Sequence, residues 1–237
     1  MNTENKRQLA SRASASKDPP GWFTCGTISF TDPMGRRLLR GVTLQIDPPC
    51  LCVITGPSGS GKTSLLRAIV GLNKANVLER RLGDVIYPDK RLSEWRSKVT
   101  LLLQDAPCIP GTIEENLSFP FTFKNSGSHR FSRDEAIKLM EWVGLGHFGL
   151  SHSVDGFSGG ERHRLSLVRG LVWAPPVLLA DEPLAGLEPE LAQKCFDLLF
   201  DFSRQRPAVV ICVLHEERFA KQADLLLRLK DGTLHRT

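Results

Sequence analysis

Residues 56–63 form a glycine-rich segment whose residue types and spacing suit the binding of a phosphate chain. They match the pattern G-x-x-x-x-G-K-[ST] between a predicted strand and a predicted helix, a position that an ordinary glycine-rich turn does not explain. Glycines let the backbone curl until its N–H groups point at phosphate oxygens, and the following helix adds its positive end. We expect Lys62 to contact the β- and γ-phosphates of a nucleotide and the Thr63 hydroxyl to contact Mg²⁺. The predicted nucleotide-binding residues of this segment are Gly56, Pro57, Ser58, Gly59, Ser60, Gly61, Lys62 and Thr63.

Two adjacent acids, Asp181 and Glu182, follow an apolar run at 177–180 that is predicted to be a buried strand. The carboxyl ends of parallel strands are where such sheets gather ligands. We expect Asp181 to hold Mg²⁺ through water and Glu182 to take a proton from an attacking water, the role of a general base. Acids at the start of a helix can instead serve only as caps. Without the phosphate loop, capping would be the favoured interpretation.

A Ser-Gly-Gly turn at Ser158, Gly159 and Gly160 precedes a predicted helix at 161–172. The first N–H groups of a helix have no partner inside it, so the turn is a second candidate anion site. Alone, this tripeptide is a weak signal and usually marks a loop. Here it lies just ahead of the strand that carries the two acids, which favours a functional role.

The elements around the phosphate loop begin as short strands. Strand-like runs at 27–30, 42–46 and 51–55 are separated by Pro and Gly turns, and the last of them enters the phosphate loop. A helical pattern at 63–72 follows the loop and ends near a glycine. This order places the loop between a strand and a helix.

Beyond that helix the chain alternates again between strand and helix. Apolar runs at 99–103, 177–180 and 209–214 are typical of buried strands, and 191–202 has the spacing of an amphipathic helix. Alternation of this kind predicts an α/β fold with a mainly parallel sheet covered by helices. The sequence contains no internal repeat.

The segment at about 105–157 differs from the rest of the chain, because polar and apolar residues seldom alternate in it as they do in a β-strand. Ser132 and Glu135 have the spacing of a capping box that opens an amphipathic helix. The residues expected to face inward from this helix are Ala136, Leu139, Met140 and Val143. We interpret the segment as an inserted helical lobe.

Length and composition suit one domain with such an insertion. The chain has 237 residues, of which 41% are hydrophobic, and its apolar runs are much shorter than the roughly 20 residues that cross a bilayer. Residues 1–20 are polar and read as a flexible tail without a secretory signal or anchor, so we expect a cytoplasmic protein. The net charge of +5 permits attraction to nucleic acid, lipid or nucleotide without choosing among them.

Six cysteines are scattered without the spacing of a zinc site, and we expect them to be reduced thiols. Cys50 and Cys52 lie on one face of a predicted strand and could chelate a metal. Buried free cysteines are the commoner case for such a pair.

The order of these motifs strongly resembles the ABC (ATP-binding cassette) ATPase family. Residues 157–164 read Phe-Ser-Gly-Gly-Glu-Arg-His-Arg, close to the family's usual Leu-Ser-Gly-Gly-Gln/Glu, and they precede the strand with Asp181 and Glu182. The resemblance covers residues 22–237. It implies a P-loop NTPase fold with a mainly parallel core, a small antiparallel β subdomain and an inserted α-helical subdomain, all within an ATPase domain at 21–237.

The resemblance also implies roles for two further residues. Gln104, at the end of its strand, resembles the family's Q-loop glutamine, which touches Mg²⁺ and relays the state of the nucleotide to a membrane partner. His215 resembles the switch histidine, which contacts the γ-phosphate and orients the water with Glu182. The implied catalytic residues are therefore Glu182 and His215, and the implied metal-contacting residues are Thr63, Gln104 and Asp181.

Some positions depart from the family pattern. Glu188 occupies the position after the acid pair at which relatives usually have aspartate. We therefore expect the timing of the steps that are coupled between the two subunits of a dimer to differ from that of those relatives. No tyrosine lies near Asp32, where an aromatic ring would stack on adenine, and Phe30 is the substitute on the same strand. His163 and Phe157 replace a glutamine and a leucine, changes that should not prevent nucleotide binding.

As implied by the resemblance, ATP with Mg²⁺ lies between the Lys62 loop of one copy and the Ser158 turn of another, making a homodimer with two composite sites. A multi-span membrane permease would supply the transport pathway, with the ATPase peripheral on the inner face of the membrane. Residues 104–107 and 111–117 resemble the corresponding segments of exporter-type cassettes. Residues 54–57 and 116–120 most resemble those of iron-export-type ATPase subunits, so a metal ion is one expected cargo.

Two other functions remain as alternatives. A soluble ABC ATPase acting on nucleic acid or ribosomes would suit the basic charge. Such relatives generally carry two cassettes or a long coiled-coil insert, neither of which fits this chain, so we expect no nucleic acid partner. A P-loop small-molecule kinase would have no use for the Ser-Gly-Gly turn.

Overall fold

Two β-sheets carry the helices of this protein, one mainly parallel and one antiparallel. The computed structural model describes residues 22–105, 107–127 and 129–237, so the predicted tail at 1–20 lies outside the described residues. The fold class expected from the sequence, an α/β P-loop architecture with a parallel core, a small antiparallel sheet and helical elements, is confirmed.

The larger sheet has the strand order β10-β9-β3-β8-β7-β6. Strands β3, β6, β7, β8 and β9 pair in parallel, and β10 pairs with β9 in the antiparallel direction. Its strands are β3 (Cys50–Thr55), β6 (Val99–Leu102), β7 (Val177–Asp181), β8 (Val209–Val213), β9 (Leu225–Lys230) and β10 (Thr233–Arg236). Every residue of β7 and β8 is buried, since helices cover both faces of the sheet, which explains why these strands read as continuous apolar runs.

The smaller sheet is antiparallel and has the order β2-β1-β4-β5. Its strands are β1 (Phe23–Thr31), β2 (Arg37–Ile46), β4 (Glu79–Leu82) and β5 (Val85–Ile86). Strand β2 alternates between buried and exposed residues over much of its length, the pattern of a sheet with one face on the core. The β1–β2 hairpin lies beside the phosphate loop and helps to shape it.

Seven α-helices connect the strands within the described ranges. They are α1 (Lys62–Ile69), α2 (Leu92–Lys98), α3 (Ile113–Ser118), α4 (Arg133–Trp142), α5 (Gly159–Trp173), α6 (Pro189–Gln205) and α7 (Glu217–Ala220). The helix predicted at 63–72 is shorter at its C-terminal end, because Gly71 adopts a left-handed conformation with φ of 72° that ends the helix. The helix predicted from 161 begins two residues earlier, at Gly159.

The parallel sheet separates two hydrophobic cores. Leu51 and Val53 face one of them, while Cys52 and Ile54 on the same strand face the other. In the second core the fully buried Trp95 packs on Phe23 and donates its Nε1–H to the carbonyl oxygen of Ile69 at 2.8 Å. That bond satisfies the indole and fixes the end of α1, the helix that follows the phosphate loop.

The segment predicted as a helical lobe contains α3, α4 and two 3₁₀ turns, Phe119–Thr122 and Lys124–Ser126. The predicted capping box at Ser132 is only half formed: the Ser132 hydroxyl accepts from the Glu135 N–H at 3.3 Å, whereas the Glu135 carboxylate pairs with Arg206. From α4, Ala136, Met140 and the following Val143 are buried, and Leu139 is half-buried. A complete capping box instead opens α3, between Thr112 and Glu115.

Across the part of the chain that the structure describes, no helix is long and apolar enough to cross a membrane. Five of the cysteines are buried and Cys108 is half-buried, all as free thiols. The residues that the structure describes contain no cluster of three or more His, Cys, Asp or Glu side chains suited to a metal ion. Burial raises the pKa of Cys25 to about 12 and that of Cys50 to about 11.

This burial predicts the reactivity of the thiols. In the folded protein at pH 8 only Cys108 should react with a thiol reagent such as dithionitrobenzoate, whereas all six cysteines should react after unfolding in guanidinium. Spectroscopic titration of native and denatured samples measures both numbers. Fast labelling of Cys52 in the native state would contradict the packing of β3.

Candidate functional site

The phosphate loop joins β3 to α1 and depends on two close backbone approaches. A Cβ atom at Gly56 would collide with the carbonyl oxygen of Leu229, and one at Gly61 would lie 3.3 Å from Cβ of Leu38. Gly61 also has a φ of 100°, which side chains rarely tolerate. The glycines are therefore required by the neighbouring strands as well as by any ligand that the loop receives.

Lys62 lies across the loop and is 7% exposed. Its Nζ donates to the carbonyl oxygens of Gly56 at 2.9 Å and Pro57 at 3.0 Å. Burial lowers the pKa of Lys62, while the carboxylates of Glu182 and Asp181 act in the opposite direction. A partly desolvated ammonium next to a ring of backbone N–H groups is an arrangement that attracts phosphate oxygens.

Asp181 is the last residue of β7 and is 3% exposed. Burial raises the pKa of this carboxyl group, against the effect of a hydrogen bond from the Thr63 hydroxyl. Its Oδ1 atom is buried and has no hydrogen-bond partner among the described residues. A buried carboxylate oxygen without a partner, next to a hydroxyl, fits a hard cation such as Mg²⁺, whose remaining ligands would come from phosphate and water.

Glu182 follows directly and has an unusual backbone, with φ of 52°. Its Oε1 lies 2.8 Å from Nε2 of His215, and its Oε2 accepts a hydrogen bond from Nε2 of Gln104 at 3.1 Å. The side chain of Glu182 is 25% exposed and that of His215 is 51% exposed, so the group can reach a ligand. Three residues predicted separately from the sequence are thus brought into contact at the end of the parallel sheet.

The Ser158 turn begins α5 as a capping box with Glu161. The Ser158 hydroxyl accepts from the Glu161 N–H at 3.3 Å, and the Ser158 N–H donates to the Glu161 carboxylate at 2.7 Å. Hydrogen bonds from the Ser158 hydroxyl and N–H lower the pKa of Glu161. The N–H groups of Gly159 and Gly160 lie in the first turn, where no carbonyl group of the helix reaches them. The spacing Ser-x-x-Glu is the sequence signal that predicts this box.

The remaining predicted positions lie around this centre. Phe30 is half-buried on β1, where it pairs with Leu39 of β2. The preceding residue of β2, Leu38, lies against Gly61 of the phosphate loop. Gln104, expected near the metal, donates a hydrogen bond from Nε2 to Glu182. His163 on α5 lines a small cavity together with Gln104 and both acids, a neighbourhood that the sequence did not indicate.

A larger groove of about 700 Å³ opens between α2, α5 and the segment that follows β6. Leu101, Phe123 and Trp173 contribute apolar lining, and the charged side chains of the lining are Arg96, Lys124 and Arg169. Arg169 donates to the carbonyl oxygen of Pro107 at 3.1 Å, and burial lowers its pKa. The groove is therefore apolar with a cationic character, and the loop after Gln104 forms one of its walls.

The chain is similar in sequence to a known family of proteins. A family model described as ABC transporter matches residues 39–185. The lipoprotein-releasing system ATP-binding protein LolD of Legionella pneumophila (strain Paris) is 33% identical over 213 residues, which are 87% of this chain and 93% of the relative. The macrolide export ATP-binding/permease protein MacB of Rhodopirellula baltica is 31% identical over 82% of this chain, which spans 29% of that longer protein.

A solved structure gives the same result for the fold. The dimeric structure of a post-hydrolysis state of the ATP-binding cassette MJ0796, bound to ADP and Pi, superposes with a TM-score of 0.76 at 27% identity. The match covers 90% of this chain and 97% of that one. The expectation of an iron-export-type subunit with a metal-ion cargo is corrected by these relatives, which are named for lipoprotein release and macrolide export.

The burial of Asp181 predicts how stability depends on pH. A carboxyl group whose pKa is raised by folding destabilises the folded state increasingly as the pH rises above the unfolded pKa, in full above the folded pKa, and has no effect below the unfolded pKa. Asp181→Asn should therefore raise the unfolding midpoint of the ligand-free protein near pH 7, with a difference that shrinks as the pH falls toward 4. Thermal unfolding monitored by circular dichroism across this range tests the prediction.

The control is Asp201→Asn on the exposed face of α6, which should leave the midpoint unchanged at every pH. The same melts repeated with Mg-ATP should show a large stabilisation of the wild-type protein and a much smaller one of the Asp181 variant. A lower midpoint for the ligand-free Asp181 variant would contradict this account of its burial.

Proposed function

Because this chain belongs to the ABC transporter family, whose members couple ATP hydrolysis to transport, we propose that it is the subunit that binds and hydrolyses ATP to energise a separate membrane permease. One observation carries the proposal: Glu182 lies in contact with both His215 and Gln104, directly after Asp181 at the end of β7. A structural capping acid would have no need of these two partners. The division of the chain into a tail and an ATPase domain at 21–237 belongs to the same proposal.

Binding depends on the phosphate loop. In the ligand-free chain Lys62 bonds to two carbonyl oxygens of the loop itself, which holds the ammonium in place and keeps the loop curled. On binding, Lys62 exchanges these contacts for the β- and γ-phosphate oxygens of ATP, and the backbone N–H groups of residues 58–63 complete the cradle. Phe30 is the proposed surface for the adenine ring.

Asp181 and Thr63 are the residues that would hold Mg²⁺, and the side-chain oxygen of Gln104, whose Nε2 donates to Glu182, is a further candidate ligand. When bound, the ion neutralises phosphate charge and orients the triphosphate. The unpartnered Oδ1 of Asp181 supports this role, since burial of a carboxylate oxygen without a partner costs stability in the ligand-free chain.

Glu182 is the proposed general base. One carboxylate oxygen of Glu182 contacts His215 and the other accepts a hydrogen bond from Gln104. The position of the base therefore depends on the end of the parallel sheet, where His215 lies, and on the segment that leads from Gln104 to the groove. With the carboxylate fixed, a water placed between Glu182 and the γ-phosphate gives its proton to Glu182 as its oxygen attacks phosphorus, and the bond from the γ-phosphorus to the bridging oxygen breaks so that ADP leaves. His215 orients the base and contacts the γ-phosphate.

We further propose that the composite site needs two copies of the chain. The first-turn N–H groups of Gly159 and Gly160 suit a phosphate presented by a second subunit, and the capping box holds the Ser158 hydroxyl beside them. The dimeric form of the solved ATP-binding cassette supports this arrangement. Closure around ATP and reopening after hydrolysis then supply the movement that a permease uses.

The groove between α2 and α5 is the proposed docking surface for that permease. Its apolar and cationic lining suits an amphipathic cytoplasmic segment, and one wall is the loop after Gln104, which contacts Glu182. The relatives' names favour an amphiphilic cargo such as a lipoprotein or a macrolide. The protein is then peripheral on the cytoplasmic face of the cell membrane.

The role of Glu182 predicts the behaviour of Glu182→Gln. The variant should bind ATP, lose about 10²- to 10⁴-fold in hydrolysis because the amide cannot accept the proton, and accumulate as a nucleotide-bound dimer. Phosphate-release assays and size-exclusion chromatography with and without Mg-ATP measure both effects. Glu217→Gln, an exposed surface change on α7, is the matched control and should behave as wild type.

Lys62→Ala separates binding from chemistry in the same assays, since it should lose ATP binding and form no ATP-dependent dimer. Full ATPase activity in the Glu182 variant would remove this residue from the catalytic role. Retention of tight ATP binding by the Lys62 variant would remove the phosphate loop from nucleotide binding.

Coupling to a permease predicts what the chain brings with it from membranes. Affinity-tagged protein purified from detergent-solubilised membranes of its own organism should retain a multi-span membrane protein, and ATPase activity should differ between the complex and the isolated chain. Mass spectrometry and activity assays on the two preparations test this. Salt-sensitive retention of DNA or RNA without a membrane protein would instead indicate action on nucleic acid.

A further inference from the structure

A small cavity at the carboxyl end of the parallel sheet lies beside the proposed catalytic base. Its volume is about 10 Å³, close to the space that one water molecule needs. Three elements form its lining: the end of β6, the segment at the end of β7 and the first half of α5. The lining residues with polar side chains are Gln104, His163, Ser166, Asp181 and Glu182. The cavity is therefore polar enough to hold a water molecule.

The packing of α5 fixes where His163 lies. A Cβ atom on Gly170 of α5 would come within 2.7 Å of Cδ2 of Leu102, so the helix lies directly on β6. His163 precedes Gly170 by about two helical turns and so lies on the same face of α5. Because the chain runs through α5 to the start of β7, the first turns of α5 lie at the carboxyl end of the sheet. His163 is thereby held over the end of β6, which Gln104 follows.

The imidazole of His163 has hydrogen-bonding capacity that the protein does not use. Within the described ranges, the histidine rings that take part in hydrogen bonds are those of His215 and His235. His163 is half-buried and lines the cavity. Gln104 also has capacity left, since its Nε2 carries two hydrogens and donates one of them to Glu182. A water molecule in the cavity can accept the second hydrogen and donate to the imidazole.

We propose that His163 is a positioning residue for ATP hydrolysis, which holds Gln104 against Glu182 through a single water molecule in this cavity. The inference rests on the proposed function and adds a residue to it. Since α5 begins at the Ser158 turn, where the nucleotide of the second subunit is proposed to bind, the bridge also links that turn to the base of its own subunit.

Steady-state ATPase kinetics of the full chain test this role. His163→Leu keeps a side chain of similar size that cannot bond the water, so it should lower kcat about tenfold, and KM for ATP should stay unchanged because the phosphate loop is untouched. His163→Gln keeps a hydrogen-bonding group at the cavity and should retain most of the wild-type kcat. Thermal unfolding establishes that each variant is folded, and His163→Ala replaces the leucine variant if that one does not fold.

A double-mutant cycle separates action through Gln104 from any other effect. If His163 acts by holding Gln104, the combined Gln104→Ala and His163→Leu variant should hydrolyse ATP as fast as Gln104→Ala alone. The matched control is His235→Leu on β10, an exposed histidine whose replacement should leave kcat unchanged in either background.

Wild-type kcat for His163→Leu, or equal losses for the leucine and glutamine variants, would overturn the proposal. Losses that add in the double variant would do the same, since His163 would then act without Gln104. A high-resolution crystal structure of the ligand-free chain should show an ordered water within hydrogen-bond distance of both side chains, and a dry cavity would contradict the bridge. Absence of ATP hydrolysis by the wild-type chain would overturn the proposed function itself, whereas the outcomes above leave that function intact.

Discussion

The burial of opposite charges at the carboxyl end of the parallel sheet is the constraint on which the rest of the site depends. Lys62 and Asp181 are each less than a tenth exposed, and burial shifts their pKa values in opposite directions. Taking charges out of water costs free energy unless partners compensate, so the surrounding backbone is arranged to supply them. The curled loop gives carbonyl oxygens to the ammonium, and Thr63 gives a hydroxyl to the carboxylate. The compensation is incomplete at one carboxylate oxygen, which is where a ligand can gain the most.

The same end of the sheet joins the chemistry to the rest of the molecule through Glu182. Its carboxylate contacts His215, which follows the neighbouring strand β8, and Gln104, which opens the segment leading to the groove. A movement of Gln104 therefore changes the hydrogen bonding of the Glu182 carboxylate. The groove is bordered by the loop after Gln104 and by α5, whose first turn carries the Ser158 motif. The sites proposed for the nucleotide, the second subunit and the membrane partner therefore lie on elements that share residues.

The relatives identify the family of the chain, but their names refer to different cargoes. The chain is similar both to a protein named for lipoprotein release and to one named for macrolide export. The metal-ion expectation failed because it was drawn from short stretches on either side of the motifs, whose sequence carries no chemistry specific to a cargo. Of the residues that depart from the family pattern, His163 lines the small cavity with Gln104 and both acids, and Glu188 directly precedes α6.

The sequence by itself determined the phosphate loop, the acid pair, the Ser-Gly-Gly turn and the alternation of buried strands with helices. These follow from local spacing and from hydrophobic periodicity, which a linear chain displays directly. Only the tertiary structure decided that Glu182 contacts His215 and Gln104, that Glu135 leaves its predicted cap to pair with Arg206, and that His163 lines one cavity with Gln104 and both acids. Each of these depends on strands and loops distant in sequence lying side by side, and no local pattern specifies which distant partner a side chain meets.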